Sequence, residues 1–202
     1  MIETRYTAFG VRMRLHSVKD GRLNWLLLPG GPGIGSESLH ELADAMHVPG
    51  SIWLVDLPGD SSNTAQRYEQ LFALWPQVLT EAAENLTALA VASAEWNFTP
   101  AGLEAGRALL SRMPYNSAAV EWSDAHFDHR YTALWWPSEI PVLRPWGDSD
   151  RIVTQRGWDA AAYNTPNVML REIAGAGHFP WIEIPLAVRQ AFQAFSMKVL
   201  GS

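Results

Sequence analysis

The apolar residues of this chain fall into short, bulky runs that stop at glycine- and proline-rich turns, interleaved with segments whose apolar positions recur at helical spacing. The runs Leu23–Pro29, Ser51–Leu57, Val142–Trp146 and Asn167–Ile173 predict strands, the first two bulky enough to be buried on both faces of a mainly parallel sheet. Thr4–Val18 alternates loosely and predicts an edge pair of strands with Gly10 at the turn. Ser36–Met46 predicts a short helix, capped by Ser36 or Ser38 and with Leu39, Leu42 and Met46 on one face. Thr64–Glu84 reads as a longer helix broken near Pro76, where the ring removes a donor and clashes with the preceding turn. Further helices are predicted from Thr99-Pro100 to Arg112, over Arg156–Tyr163, and over Pro185–Val199 with Val188, Ala191, Phe192 and Phe195 as its buried stripe. Glu84–Trp96 fits a helix or a short strand. From Phe98 to Trp136 the chain changes character, with five aromatic residues between Trp122 and Trp136, and predicts a helical cap over the sheet. No internal repeat interrupts the pattern.

Chemistry enters at the strand ends. Leu23–Gly35 reads LNWLLLPGGPGIG, and its glycines let backbone N–H groups face outward with no side chain in the way. The carboxyl ends of strands are where open α/β sheets bind ligands, and such a turn can present an N–H to a developing oxyanion; it is also what a plain tight turn needs. Pro141–Val153, PVLRPWGDSDRIV, puts Asp150 just past a strand in a Gly-x-x-Asp turn, with Asp148 as its competitor. Asn167–Pro185, NVMLREIAGAGHFPWIEIP, puts His178 in a glycine-alanine loop after the next strand. An acid and then a histidine, each after a strand, form two thirds of a nucleophile–histidine–acid triad, in which the histidine is the general base and the carboxylate orients it.

These stretches resemble the α/β-hydrolase superfamily and, within it, its proline-iminopeptidase-like branch. Gly30, Gly31, Pro32 and Gly33 match that branch's His-Gly-Gly-Pro-Gly loop, with Pro29 in place of the histidine. Val55-Asp56-Leu57-Pro58-Gly59-Asp60, Gly147-x-x-Asp150 and Gly175–Trp181 match its later loops in order, and the likeness covers roughly residues 5 to 70 and 95 to 198. The resemblance implies an α/β-hydrolase-type, mostly parallel sheet flanked by helices, with residues 1–84 and 138–202 forming the core and 85–137 the helical cap. It implies Asp150 and His178 as catalytic residues and the Gly31 backbone N–H as half of an oxyanion hole. It implies that cap carboxylates such as Glu95 or Glu121, beside Trp96 and Trp122, hold a substrate amine or line its pocket.

The family's nucleophile sits in Gly-x-Ser-x-Gly on a strained strand-to-helix turn. No serine here has glycine at both flanking positions, and the chain has no cysteine. Ser93, 37 residues after Asp56, is the serine with tolerable spacing. Val91 and Glu95 nevertheless occupy the crowded elbow positions, and LTALAVASAEW also runs as a helix. The central nucleophile strand, its helix and the next strand are read as absent, either in the natural protein or because the chain omits an internal segment.

Composition narrows the partners. A net charge of −6 without a Lys/Arg cluster argues against nucleic acid. No apolar run approaches the ~20 residues that span a bilayer, and no signal layout opens the chain, so no membrane partner and a cytoplasmic location are expected. His126 and His129 have ligand-like spacing but no clustered third ligand, so neither metal nor organic cofactor is expected. The ten tryptophans are expected chiefly to glue cap to sheet, with lining an apolar pocket as the alternative. The function expected from the resemblance is a serine hydrolase cleaving an ester or N-terminal prolyl peptide bond in a small molecule or short peptide, inactive in this chain for want of its nucleophile. The alternatives are a non-catalytic binding protein on the same scaffold and an epoxide-hydrolase-like enzyme whose nucleophile lay on the missing elbow. Loss of a central strand would leave an exposed sheet edge open to self-association.

Overall fold

A computed structural model of the protein describes residues 3–7, 10–30, 34–57, 62–63, 86–126, 138–153 and 163–201. The helices expected over Thr64–Glu84 and Arg156–Tyr163 lie largely or wholly outside these residues, as do Gly31, His129 and most of the aromatic stretch up to Trp136. The strands are β1 (Thr4–Tyr6), β2 (Arg12–Val18), β3 (Asn24–Leu27), β4 (Ser51–Asp56), β5 (Val142–Gly147) and β6 (Val168–Ile173). A 3₁₀ turn over Ser36–Leu39 runs into α1 (His40–Met46). Then follow α2 (Ala94–Asn97), α3 (Leu103–Ser111), α4 (Ser117–His126), α5 (Pro180–Glu183) and α6 (Pro185–Leu200). Among the described residues no helix is long and apolar enough to cross a membrane.

The chain divides into two compact units. The first contains Met1–Ala43, Pro49–Ala92 and Ala108–Arg130; the second contains Asp44–Val48, Ser93–Arg107 and Tyr131–Ser202. The segment expected to form a cap therefore contributes to both.

In the first unit the strand order is β1-β2-β4-β3. β1 and β2 are the predicted antiparallel pair, closed by Gly10 at φ 79°, and β3 pairs with β4 in parallel. β4 has neighbours on both sides, and Ile52 through Asp56 are all buried, as its uninterrupted apolar run predicts. β3 departs from that prediction. It is the edge strand among the described residues, and Leu26 and Leu28 are 56% and 55% exposed. A bulky run records what a strand can bury, whereas its position in the sheet decides what it does bury.

Buried charge closes this sheet at the end of β4. Arg12 and Asp56 are directly opposite in the antiparallel register, and Arg12 donates from Nε and Nη2 to Asp56 Oδ2 at 3.0 and 2.8 Å. The other carboxylate oxygen of Asp56, Oδ1, accepts the Ser36 backbone N–H at 2.7 Å, and Arg14 Nη2 lies 3.4 Å from Oδ2. The sequence offers Ser36 or Ser38 as the helix cap, and neither caps the turn. The Ser38 hydroxyl donates to the Gly35 carbonyl at 2.9 Å, and the Ser36 hydroxyl accepts Arg14 Nη2 at 2.8 Å. Charged groups brought from β2 and β4 outcompete a local cap.

These contacts set a pH dependence. Burial pushes the Asp56 carboxyl up, but hydrogen bonds from Ser36 and the Arg12 guanidinium outweigh it and hold the group below its ordinary value of 3.8. His40, whose ring meets His16 edge-on at 5.6 Å, is held below its ordinary 6.5 by burial first and by the positive charge of Arg14 next. Both groups bind their proton more weakly folded than unfolded, so acid favours unfolding. Stability from His40 is expected to be full above pH 6.5 and to fall below it; stability from Asp56 is full above pH 3.8 and falls as its folded pKa is passed. Melting curves from about pH 8 to about pH 3 should show two successive drops, the first absent in His40→Gln. A midpoint that rises on acidification would contradict this.

In the second unit β5 and β6 pair in parallel, Val142 opposite Val168 through Gly147 opposite Ile173. α6 buries Val188, Ala191 and Phe195, three of the four predicted stripe positions, and Ser196; Phe192 is half-buried. Both strands end at one edge of this pair, and the loops that follow them carry the candidate chemistry.

Candidate active site

β5 runs into the turn Gly147–Asp150 and β6 into Gly175–His178. Parallel pairing in register brings both strand ends to the same place, so two loops 28 residues apart in sequence meet. They interlock through their backbones: the Ser149 N–H reaches the Ala176 carbonyl at 2.9 Å, and the Asp148 N–H reaches that of Ile173 at 3.3 Å. Gly147 is required by this approach, because a Cβ there would collide with the backbone oxygens of Ala176 and Gly177.

Asp150 Oδ2 lies 3.0 Å from His178 Nδ1. The other oxygen, Oδ1, accepts the backbone N–H groups of Ile152 and Val153 at 2.8 and 3.0 Å. A carboxylate only accepts, so in this pair Nδ1 donates, and in the neutral tautomer that this contact selects Nε2 holds the lone pair. The Asp150 side chain is 9% exposed, whereas that of His178 is 30% exposed. Nε2 has no hydrogen-bond partner among the described residues. A histidine oriented at one nitrogen and open at the other is arranged to remove a proton from an incoming group. Asp148 does other work: it accepts the Gly175 N–H at 2.9 Å and the Ser149 hydroxyl at 3.0 Å, tying the acid turn to the histidine loop.

The histidine is fixed from behind as well. Its backbone N–H donates to the Asn97 carbonyl at 2.7 Å. Its ring meets Phe179 edge-on, and Phe179 stacks on the buried Phe98 with centroids 5.0 Å apart. Glu183, on α5, accepts the Gly177 N–H at 2.6 Å and both the N–H and the hydroxyl of Thr99, at 2.8 and 2.6 Å.

The other candidates fall elsewhere. Residues 86–92 are helical, so Ser93 follows a helix instead of a strand. Its φ of −85° and ψ of 6° are those of an ordinary turn, and its carbonyl accepts the Trp96 N–H at 3.0 Å. The strand-to-helix elbow considered for LTALAVASAEW is thus not formed. The helical spacing of Leu86, Leu89 and Ala90 prevails over a run too rich in alanine to make a good strand. Glu95 is exposed and paired with Arg107 at 3.3 Å. Glu121 and Trp122 are exposed positions of α4, in the first unit. Gly31, the expected oxyanion donor, lies outside the described residues. Among the described residues no cluster of histidine and carboxylate side chains could hold a metal ion.

Solved structures similar to this chain share one architecture. A carboxylesterase from Bacillus subtilis, CesB, matches over 100% of this chain and 93% of its own, at 18% identity and a TM-score of 0.58. A thermophilic esterase from Thermogutta terrifontis matches over 98% and 99%, at 17% identity and a TM-score of 0.54. The chain has the α/β-hydrolase fold. A membrane phospholipase A described as a bacterial virulence factor matches over 100% and 87%, at 18% identity and a TM-score of 0.59. No protein-family model matches the sequence, and no curated protein is significantly similar to it. In this chain Asp150 follows β5 and His178 follows β6, and the two side chains meet at 3.0 Å.

Two residues of this site were not singled out from the sequence. They are Asn97, which carries no chemical signature of its own, and Glu183, inside FPWIEIP. The available signal was a lone carboxylate five residues after the histidine in an otherwise apolar segment, where a charge needs a partner.

Proposed function

We propose that this chain is built for acyl transfer from a carboxylic ester to water and carries the acid–base half of a serine hydrolase, Asp150 with His178, without the nucleophile. The observation that carries the reading is the 3.0 Å contact between Asp150 Oδ2 and His178 Nδ1 at two adjacent parallel strand ends. In the complete reaction a serine hydroxyl attacks the ester carbonyl while His178 Nε2 takes its proton. Asp150 stabilises the imidazolium, and His178 returns the proton to the departing alcohol. Water then repeats the cycle on the acyl-enzyme.

An ester is favoured over an N-terminal prolyl peptide by the state of Glu95. A carboxylate meant to receive a substrate ammonium would be left open, and this one is engaged by Arg107. The solved structures with the same fold are named as esterases and a phospholipase, which agrees with ester chemistry.

The missing nucleophile is supported by the absence of Gly-x-Ser-x-Gly and of cysteine, and by the helical setting of Ser93. Among the described residues β3 is an edge, with Leu26 and Leu28 exposed, and a further parallel strand would find there both hydrogen-bonding groups and an apolar face. A fluorophosphonate probe followed by peptide mapping tests this. The expected result is no stoichiometric labelling of any serine. Full labelling at Ser93, lost in His178→Ala, would make the protein a working hydrolase with a degenerate elbow.

A further inference from the structure

We infer that Glu183 is the positioning residue of the Asp150–His178 pair: its carboxylate clamps the histidine loop to the chain segment that precedes α3. The inference rests on reading Asp150 and His178 as an acid–base pair.

Three donors converge on this one side chain. Oε2 takes the Gly177 N–H at 2.6 Å, and Oε1 takes the Thr99 N–H at 2.8 Å and the Thr99 hydroxyl at 2.6 Å. The next N–H along the loop, that of His178, goes to the Asn97 carbonyl at 2.7 Å. Two successive amides of the histidine loop are therefore anchored to one short segment, residues 97–99, once directly and once through Glu183. Two fixed points set the direction of the chain entering His178, where a single point would leave it free to rotate.

The space around the clamp is filled to match. A Cβ on Gly177 would lie 2.5 Å from the Asn97 carbonyl oxygen, and one on Gly102 would lie 2.5 Å from Glu183. Both glycines let backbone and carboxylate approach at hydrogen-bonding distance. Hydrogen bonds from neutral donors to a charged acceptor are among the stronger ones, and three of them hold one geometry. Glu183 also closes a ring with its own neighbourhood, because α5 starts at Pro180, two residues after His178. Without the carboxylate the Gly177 and Thr99 N–H groups lose their acceptor. The loop then keeps its ties to the acid turn and the Asn97 contact but loses the anchor at Gly177, next to His178, so His178 Nδ1 is held less firmly on Asp150.

The measurement is made on the full chain labelled with ¹⁵N-histidine and needs no turnover. The Nδ1–H resonance of His178, identified by its loss in His178→Ala, reports the bond to Asp150. In Glu183→Ala this proton should exchange with water at least about tenfold faster than in the unaltered protein, or vanish from the spectrum. Glu183→Gln, which keeps one carbonyl acceptor, should fall between. Val188→Ala, a truncation in the buried stripe of α6, lowers the melting temperature without touching the clamp and should leave the exchange rate unchanged. Should Glu183→Ala fail to fold, Thr99→Val removes one donor from the same carboxylate and should shift exchange in the same direction. A folded Glu183→Gln or Thr99→Val with unaltered exchange overturns the inference. An Nδ1–H resonance with unaltered exchange in Asp150→Ala, which has no acceptor at that position, would overturn the acid–base reading instead.

Discussion

Replacing Asp56 by alanine is expected to destabilise the protein by about 3–5 kcal/mol, the range for removing one partner of a buried ion pair. Asp56 is fully buried and is the acceptor for two donors of Arg12 and for the Ser36 backbone N–H. Its removal leaves Arg12 and Arg14, both largely buried, sharing the carboxylate of Glu37 at 3.5 and 3.1 Å. With a typical slope of about 1–3 kcal/mol per M, the urea midpoint should drop by roughly 1–5 M, a large part of the stability of an ordinary domain. The pair's net worth is a separate quantity, because desolvation of both charges opposes their attraction. The double variant Arg12→Met/Asp56→Leu should therefore be more stable than Asp56→Ala alone. A loss below about 1 kcal/mol in Asp56→Ala would show that solvent or a neighbour replaces the carboxylate.

The second large effect is on turnover. The chain is expected to hydrolyse aryl esters and prolyl amides no faster than its own His178→Ala variant. In a serine hydrolase, removing the nucleophile costs about 10⁶ in kcat, and the remaining acceleration comes from the oxyanion hole and binding. Half of that hole is the backbone N–H following the nucleophile, which the proposed loss of the elbow also removes. One such donor is worth about 10²–10³ in rate. His178 then has a base's geometry and no hydroxyl to deprotonate. Initial rates for wild type, His178→Ala and buffer should coincide within experimental scatter. A rate that falls at least about tenfold in His178→Ala would mean that a nucleophile reaches Nε2.

The parallel strands β3 to β6 were legible because each is a bulky run stopped by glycine or proline, and at β3, β5 and β6 the stop also marks a loop with candidate chemistry. Asp150 could be preferred to Asp148 from spacing alone, and the structure puts Asp150 on His178 and Asp148 on Gly175. Features governed by distant partners were not legible. Ser36 looks like a cap until Arg14 and Asp56 arrive from two strands. Leu26 looks buried until β3 proves to be an edge among the described residues. Glu183 has partners as far as 84 residues away, and two of the three groups it binds are backbone amides, which every residue except proline offers.

The crowding around Gly147 and Gly177 also bears on how the history of this chain is read. A side chain at either position would strike backbone oxygens, so both glycines are demanded by packing whether or not any substrate is turned over. Gly30 is different: a Cβ there would meet none of the described residues within 4 Å. Mutational drift is thus checked by sterics at the acid and histidine loops and meets no such barrier at Gly30 in the strand-end turn. An intact acid–histidine signature in a relative of this chain would attest to a folded second unit, whereas glycine kept at position 30 would point to a pressure that packing does not supply.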